Sequence, residues 1–552
     1  MKILAIIDAE LDQSSLGTRS RLADELGGVP VLRRTVERVL RVHQSEGTIV
    51  LCPQQQADRC RLLLDGLRVT VRGFEAPPLP WRALVRTARK WSLDGWRGGL
   101  GGTTYFDEFV NPRLIVELLK SNAADVVLCV PGSAALFDPG LAERMIEHHR
   151  AHQDETRMTF TQAPPGLAGL LLDAQVLADV AKKDIPVGWV FSYKPDSPQK
   201  DLIFQTCCFE LPPEVRYAVG RVCGDTDRSW DRVAGIIRDR ADTDASTVGR
   251  WLIEKERTTI EPLPREVEIE LTTDDPYPGT LLRPRGSNVG RRGPILQEIV
   301  QGIAGDLCRF DDSLMVLGGF GDPLRHAQFN DILSAIRTPG RGAQGVYGLA
   351  VRTAGVDLSD DRIRTILDYD VDIVEMTLDA WSPGLYAGVQ SPDGHDSANL
   401  DKVLSAMDRL NEASRERNSV KPIIVPSMVK AKENIHELDD FHDGWLRKKG
   451  TVCLAGYSHR AGQCDDHAVV NMAPWPRVPC RRLRSRCLVL ADGRVTPCDE
   501  DFRGLQTVGD LHQDSLVQIW QSAGYQRIRN LHRDGQVGAL PLCPRCDEWH
   551  RP

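Results

Sequence analysis

The 552-residue chain has no surplus of positive charge: 69 Lys and Arg stand against 77 Asp and Glu, a formal charge of −8. That balance argues against a general nucleic-acid binder, which carries a basic excess or a basic stripe, although local basic pockets remain compatible with it. Long apolar runs are missing as well. A membrane-crossing helix takes about 18 or more uninterrupted apolar residues, and even Gly166–Leu177 is broken by Asp173, so no membrane span is expected. There is no internal repeat and no long low-complexity segment, which removes repeat architectures. With 41% hydrophobic and 26% charged residues the composition is that of an average globular protein, and a disordered or fibrous chain is excluded.

At roughly 100–200 residues per domain, the length predicts about three compact units. The opening run Met1–Asp8 reads as a buried strand, since acidic residues follow at once and no small-residue cleavage site is present. A cytoplasmic protein is therefore expected, in which the 14 cysteines are reduced thiols or metal ligands rather than disulfides.

The fold class expected is α/β. Predicted strands at Ile3–Ile7, Thr48–Leu51 and Asp125–Val130 alternate with helical spacing at Val31–Val42, Pro112–Lys120 and Pro139–His149, the pattern of a mostly parallel sheet. The pair His148-His149 is expected to cap the C-terminal end of its helix, where positive charge is favoured. The charged segment Arg238–Thr247, followed by Pro262 and Pro264, is the predicted linker and places a first domain at residues 1–250. A second series has strands at Glu266–Thr273, Leu314–Gly318, Gly345–Arg352, Asp372–Leu378, Pro422–Met428 and Val452–Ala455. Helical stretches such as Pro294–Ile303, Ala398–Asn411 and Ile435–Leu446 separate them. This fits a partial β/α barrel at residues 251–475, and equally an open doubly wound sheet. Residues 476–552 change character, with cysteines, turns and one helix at Ser515–Trp520.

The sharpest chemical signal is Cys480-x17-Cys498-x44-Cys543-x2-Cys546, which supplies four soft ligands from a small, loop-rich region. Four thiolates can fully ligate one [4Fe–4S] cluster. They can equally hold a structural Zn, and spacing alone separates the two poorly. Cys487 lies in an apolar alternation, Cys487-Leu-Val-Leu, and is expected to face a core. The polar run Ser458–His467, with His459, Cys464, Asp465, Asp466 and His467, reads as a solvated loop rather than a second metal site.

The run VPCRRLRSRCLVLADGRVTPCDED, with VGDLHQDSLVQIW and CPRC after it, resembles the SPASM/twitch module of radical SAM enzymes in its short four-cysteine form. The matching features are the turn Asp492–Cys498, the segment Val508–Leu511 with Ser515–Trp520, and the final cysteine pair. The resemblance implies that Cys480, Cys498, Cys543 and Cys546 ligate one auxiliary [4Fe–4S] cluster. Full ligation leaves no open iron, so the implied role is structural or electron transfer.

The segment LMVLGGFGDPLRHAQFNDIL resembles the second strand of the radical SAM barrel and its glycine-rich turn. The resemblance implies backbone contact with S-adenosylmethionine at Gly318, Gly319, Asp322 and Pro323. VEMTLDAWSPGLYAGV and KPIIVPSMVKAKENIHELDDF are similar to the fourth and fifth barrel strands. The CxxxCxxC loop that should follow the first strand is absent: the sequence reads Thr272-Thr273-Asp274-Asp275-Pro276-Tyr277-Pro278-Gly279, and no two cysteines in the chain are four apart. Radical chemistry needs three thiolates and one open iron for S-adenosylmethionine, and aspartates are hard ligands that do not replace them. The chain therefore resembles a radical SAM/SPASM protein with a degenerate core, similar in domain order to spirochaete-type SPASM proteins.

LGTRSRLADELGGVPVLRRTVERVL resembles the start of the GT-A-like sugar-nucleotide transferases and cytidylyltransferases. Gly17, Thr18, Arg19, Arg21 and Leu22 match the phosphate-cradling loop, while Ala23-Asp24 replaces Pro-Gly-Lys and Pro131-Gly132-Ser133 replaces the metal-binding Asp. Those losses argue against nucleotidyl transfer, leaving nucleotide or sugar-nucleotide binding through Arg19 and Arg21 as the expectation. The leading reading is an iron–sulfur protein with a degenerate radical SAM-like core and a nucleotide, sugar or peptide partner. The alternatives are an enzyme, either of radical SAM type or a sugar-nucleotide transferase, and a Zn-stapled binding protein without catalysis.

Overall fold

The short apolar runs become the inner strands of two mostly parallel sheets in the computed structural model, which describes residues 1–75, 79–240, 243–258, 260–277, 280–286, 289–338, 345–392 and 399–551. The chain divides into two units, Met1–Thr259 and Ile260–Pro552. Position 250 falls inside the helix Ala245–Thr258, so regular structure runs up to the division between the units. Ala241 and Asp242 of the predicted linker lie outside the described residues, as do Pro278, Gly279 and Ala398. No described helix is long and apolar enough to cross a membrane.

The strands of the first unit are β1 (Ile3–Asp8), β2 (Glu25–Leu26), β3 (Val29–Pro30), β4 (Gly47–Pro53), β5 (Thr70–Phe74), β6 (Val126–Pro131), β7 (Met158–Thr159) and β8 (Leu170–Asp173). Six of them form one sheet in the order β5-β4-β1-β6-β8-β7. β5, β4, β1 and β6 run parallel, while β8 pairs antiparallel with β6 and with β7. β6 is buried along its whole length, as expected of an inner parallel strand covered on both faces. Asp8 closes β1 opposite Pro131, at the strand-end edge where α/β sheets place ligands.

His149 departs from its expected role as a helix cap. It lies fully buried, bonded through Nδ1 to Thr159 Oγ1 at 3.0 Å and through Nε2 to Asp173 Oδ1 at 2.9 Å. A histidine with both ring nitrogens satisfied ties its helix, Pro139–Ala151, to the sheet edge.

The second unit contains β9 (Glu266–Glu270), β10 (Leu314–Gly318), β11 (Gly348–Thr353), β12 (Ile373–Thr377), β13 (Ile423–Lys430), β14 (Cys453–Gly456), β15 (Arg486–Val489), β16 (Arg494–Thr496) and β17 (Gly509–Asp510). β9 to β14 pair in sequence order and all parallel, the arrangement of a partial β/α barrel, and β14 ends the sheet on one side. On the other side β15 joins β9 in parallel, with Leu488 opposite Glu268, and β16 and β17 follow antiparallel. The cysteine-rich region therefore shares one sheet with the barrel. Its core is shared too: Leu483, Cys487, Val489, Trp520 and Tyr525 belong to the same buried apolar cluster as Val267, Ile269 and Leu317. Each such side chain contributes about 1.5–3 kcal/mol on burial. Trp520 is fully buried, and its indole N–H donates to the Glu261 carbonyl at 2.7 Å.

Candidate functional site

Local structure explains how the four sequence-singled cysteines come together. Cys480 precedes the short helix Arg482–Ser485 that leads into β15, and the β15–β16 hairpin turns at Gly493, whose φ of 82° a residue with a Cβ would adopt at a cost. β16 then delivers Cys498, whose carbonyl accepts from Thr496 Oγ1 at 3.1 Å. Cys543 and Cys546 flank a single 3₁₀ turn, Cys543–Arg545. All four line one small cavity, walled by Leu483, Pro497, Leu542 and Trp549 and by the polar side chains of Arg477 and His532. Cys487 faces the apolar core instead.

The donor set around these thiols fits a sulfur-bound anionic group. The Glu548 backbone N–H donates to Cys546 Sγ at 3.3 Å, and Gln506 Nε2 approaches Cys543 Sγ at 3.8 Å. His532 Nε2 and Arg477 Nε and Nη2 are buried and have no hydrogen-bond partner among the described residues, which is costly unless a bound group accepts from them. Burial pushes the Cys480 thiol up and Cys498 well up, Cys543 to about 11 and Cys546 to about 12. Unligated, the thiols therefore stay protonated, and a metal or cluster would have to displace their protons. Next to the cavity, Arg482 pairs with Asp499 at 2.5 Å and Glu548 at 3.6 Å, and Arg460 pairs with Asp499 at 3.1 Å. No group of three or more His, Cys, Asp or Glu among the described residues is placed to hold a single metal ion. In the run Ser458–His467, His459 pairs with Asp547 and His467 with Glu433.

The barrel end where the missing cysteine loop would follow β9 is occupied by ion pairs. Arg352 bridges Glu268 at 2.7 Å and Glu375 at 2.9 Å, and Arg292 grips Glu270 with two bonds of 2.8 Å. Arg285 pairs with Asp275 at 2.8 Å, both almost fully buried, and Arg283 pairs with Asp379 at 2.9 Å. The turn Gly318–Pro323 packs tightly against this layer. Gly319, at φ 77°, would place a Cβ 2.5 Å from that of Glu270. Its N–H already donates to Glu268 Oε1 at 2.9 Å. Asp322 is fully buried and accepts from Thr353 Oγ1 at 2.7 Å, the Ala354 N–H at 2.9 Å and the Leu324 N–H at 3.0 Å. Pro323 opens the 3₁₀ turn Pro323–Arg325.

In the first unit, a cavity opens at the ends of β1 and β6, lined by Asp8, Glu10, Arg21, Arg82, Gly132 and Ser133 among others. Burial pushes the Asp8 carboxyl up to about 7 against the opposing pull of Arg82. Arg21 reaches this cavity and pairs with Asp227. Arg19 is not part of the lining: its largely exposed guanidinium pairs with Asp24 at 2.7 Å. The sequence reading passed over Asp8, Glu10 and Arg82, although an acid closing a central strand is a recognisable signal. It also passed over His532 and Arg482, which carry no such signal.

A family profile named SPASM, described as an iron-sulfur cluster-binding domain, matches residues 480–547. An uncharacterised protein of Treponema pallidum (strain Nichols) is 25% identical over 251 residues, covering 43% of this chain, and the chain spans 65% of that protein's length. The solved structure of BtrN in complex with AdoMet and 2-DOIA is 16% identical with a TM-score of 0.35, covering 51% of this chain and 93% of that one. A cytidylyltransferase from Leptospira borgpetersenii is 15% identical with a TM-score of 0.30, covering 46% of this chain and 93% of its own. The chain thus carries a SPASM iron–sulfur cluster-binding region at residues 480–547.

Proposed function

We propose that the protein holds one auxiliary [4Fe–4S] cluster on Cys480, Cys498, Cys543 and Cys546 and uses it as a scaffold or one-electron relay, without the radical cluster of the core. The observation that carries this reading is the convergence of four thiols, separated by up to 66 positions, on one cavity that also presents partnerless N–H donors. A cluster of this kind supplies a one-electron couple when bound. Its four thiolates complete the iron coordination, so the residues around it position and insulate it rather than open a site for substrate.

A zinc staple would use the same four thiols, drawing them to roughly 3.8 Å of one another around a tetrahedral ion about 2.3 Å from each sulfur, and metal content separates the two readings. At the barrel end, the turn that would meet S-adenosylmethionine spends the Gly319 N–H on Glu268, and the acids around it are paired with arginines. This supports loss of radical catalysis.

The partner we favour for the first unit is a nucleotide or sugar-nucleotide rather than a peptide. Arg21 and Arg82 can meet phosphate in the cavity beside Gly132, a role that Arg19 does not share. The central test is iron and acid-labile sulfide per chain on anaerobically purified protein. About four of each are expected, and both should be lost in the quadruple variant Cys480/Cys498/Cys543/Cys546→Ala. About eight irons would return a radical cluster to the core, and one zinc without sulfide would leave a structural staple.

A further inference from the structure

His532 is the residue around the cysteine cavity whose chemistry is most constrained. It sits in the last turn of the helix Ala523–Arg533, is 4% exposed, and lines the same cavity as the four cysteines. Its Nδ1 accepts the backbone N–H of Cys480 at 3.3 Å. A nitrogen that accepts from an N–H carries no proton of its own, so a neutral ring must bear its proton on Nε2. The remaining Nε2–H is buried and has no hydrogen-bond partner among the described residues. The same lock prevents His532 from acting as a ligand, because a ring bound through Nε2 would need its proton on Nδ1, where the Cys480 N–H already sits.

We propose that His532 donates its Nε2–H to a sulfur of the cluster, a ligand thiolate or a bridging sulfide, and so raises the reduction potential of the cluster. The inference rests on the cluster reading above. Reduction adds one electron to an already anionic group, so a fixed N–H donor stabilises the reduced form more than the oxidised one. Removing it should lower the ratio of reduced to oxidised cluster about tenfold at a given potential, which for a one-electron couple is about 59 mV. His532 is thus a positioning and tuning residue, and the four thiolates remain the complete ligand set.

The test uses the full chain with cluster bound. In the wild type, labelled with ¹⁵N-histidine and reduced, pulsed electron paramagnetic resonance should detect a ¹⁵N coupling and a solvent-exchangeable proton coupling at the cluster. His532→Phe should keep about four irons per chain, lose both couplings and shift the couple about tenfold toward the oxidised form. His532→Gln, which retains an N–H donor, should recover part of that shift. An iron-loaded wild type with no histidine coupling overturns the assignment, as does a His532→Phe variant whose potential does not move. If His532→Phe fails to retain iron, the wild-type couplings decide by themselves. A wild type without iron removes the cluster reading itself, an outcome read from the iron count and distinct from a failure of the His532 assignment alone.

Discussion

Two places on one sheet, separated by a single strand, carry opposite kinds of chemistry. At the barrel end beside β9, acids and guanidiniums close on each other: Glu270 on Arg292, Asp275 on Arg285, Asp379 on Arg283, and Glu268 and Glu375 on Arg352. At the cysteine cavity beside β16, thiols stand among donors with no partner, His532 Nε2 and Arg477 Nε and Nη2. A paired polar layer is complete without a ligand, whereas unpaired buried donors are a standing cost that a bound anion can offset. The contrast teaches that one sheet can hold a polar layer closed on itself by ion pairs and, two strands away, a cavity whose donors still await an acceptor.

The sharpest way to break the comparison is to unpair the barrel end. Arg285→Ala leaves the fully buried Asp275 carboxylate without its cation, so a loss of about 3–5 kcal/mol is expected in chemical denaturation. Iron and sulfide per chain should not change. If iron falls in parallel, the two places are one cooperative site and the contrast fails. Replacing both partners, Asp275→Leu with Arg285→Met, should recover most of the loss.

A smaller effect comes from Asp322. Burial, reinforced by Asp275, holds its carboxyl at about 6 against an ordinary 3.8. The folded chain therefore binds more protons than the unfolded chain between those values, and stability falls as pH rises through about 4 to 6. At 1.36 kcal/mol per pH unit this amounts to about 3 kcal/mol. Asp322→Asn should flatten that part of the stability profile, as read by urea unfolding from pH 4 to 7. An unchanged slope would show that another group governs the window.

The smallest effect tests to which kind the first unit's cavity belongs. If it is an unfilled site like the cysteine cavity, a nucleotide at ten times its Kd should stabilise the protein by about 1.4 kcal/mol. Arg21→Ala should abolish the shift in thermal unfolding and Arg19→Ala should leave it, since only the former side chain lines the cavity. Absence of any shift in the wild type would place this cavity with the paired barrel end.

Much of this arrangement was legible from the residues, and the exceptions have a common cause. Strands such as Leu314–Gly318 read clearly because both faces are buried and every position is apolar. The Cys543 and Cys546 pair reads clearly because two thiols brought together by one turn need a fixed, local spacing. The pairing of Arg486–Val489 with Glu266–Ile269 did not, since 220 positions separate these partners and nothing local encodes their register. The ends of elements also moved. The strand predicted over Glu266–Thr273 stops at Glu270, where the following Thr272 and Thr273 turn away to pack under Gly321.

The sequence by itself determined the alternation of strands and helices, the presence and spacing of the four cysteines, and the lack of thiols after the first barrel strand. Those properties live in residue identity and short-range periodicity, which any conformation of the chain carries with it. Tertiary structure alone decided that Arg21 and not Arg19 reaches the N-terminal cavity, that His149 is a buried tie rather than a helix cap, and that the place of the missing loop is filled by arginine–carboxylate pairs. It also decided that His532, 52 positions from Cys480, meets that residue's backbone N–H with one ring nitrogen and leaves the other without a partner. Such facts depend on which buried polar groups the packed chain brings within about 3 Å of one another, and a polar residue's cost or use is set only once its surroundings have excluded water.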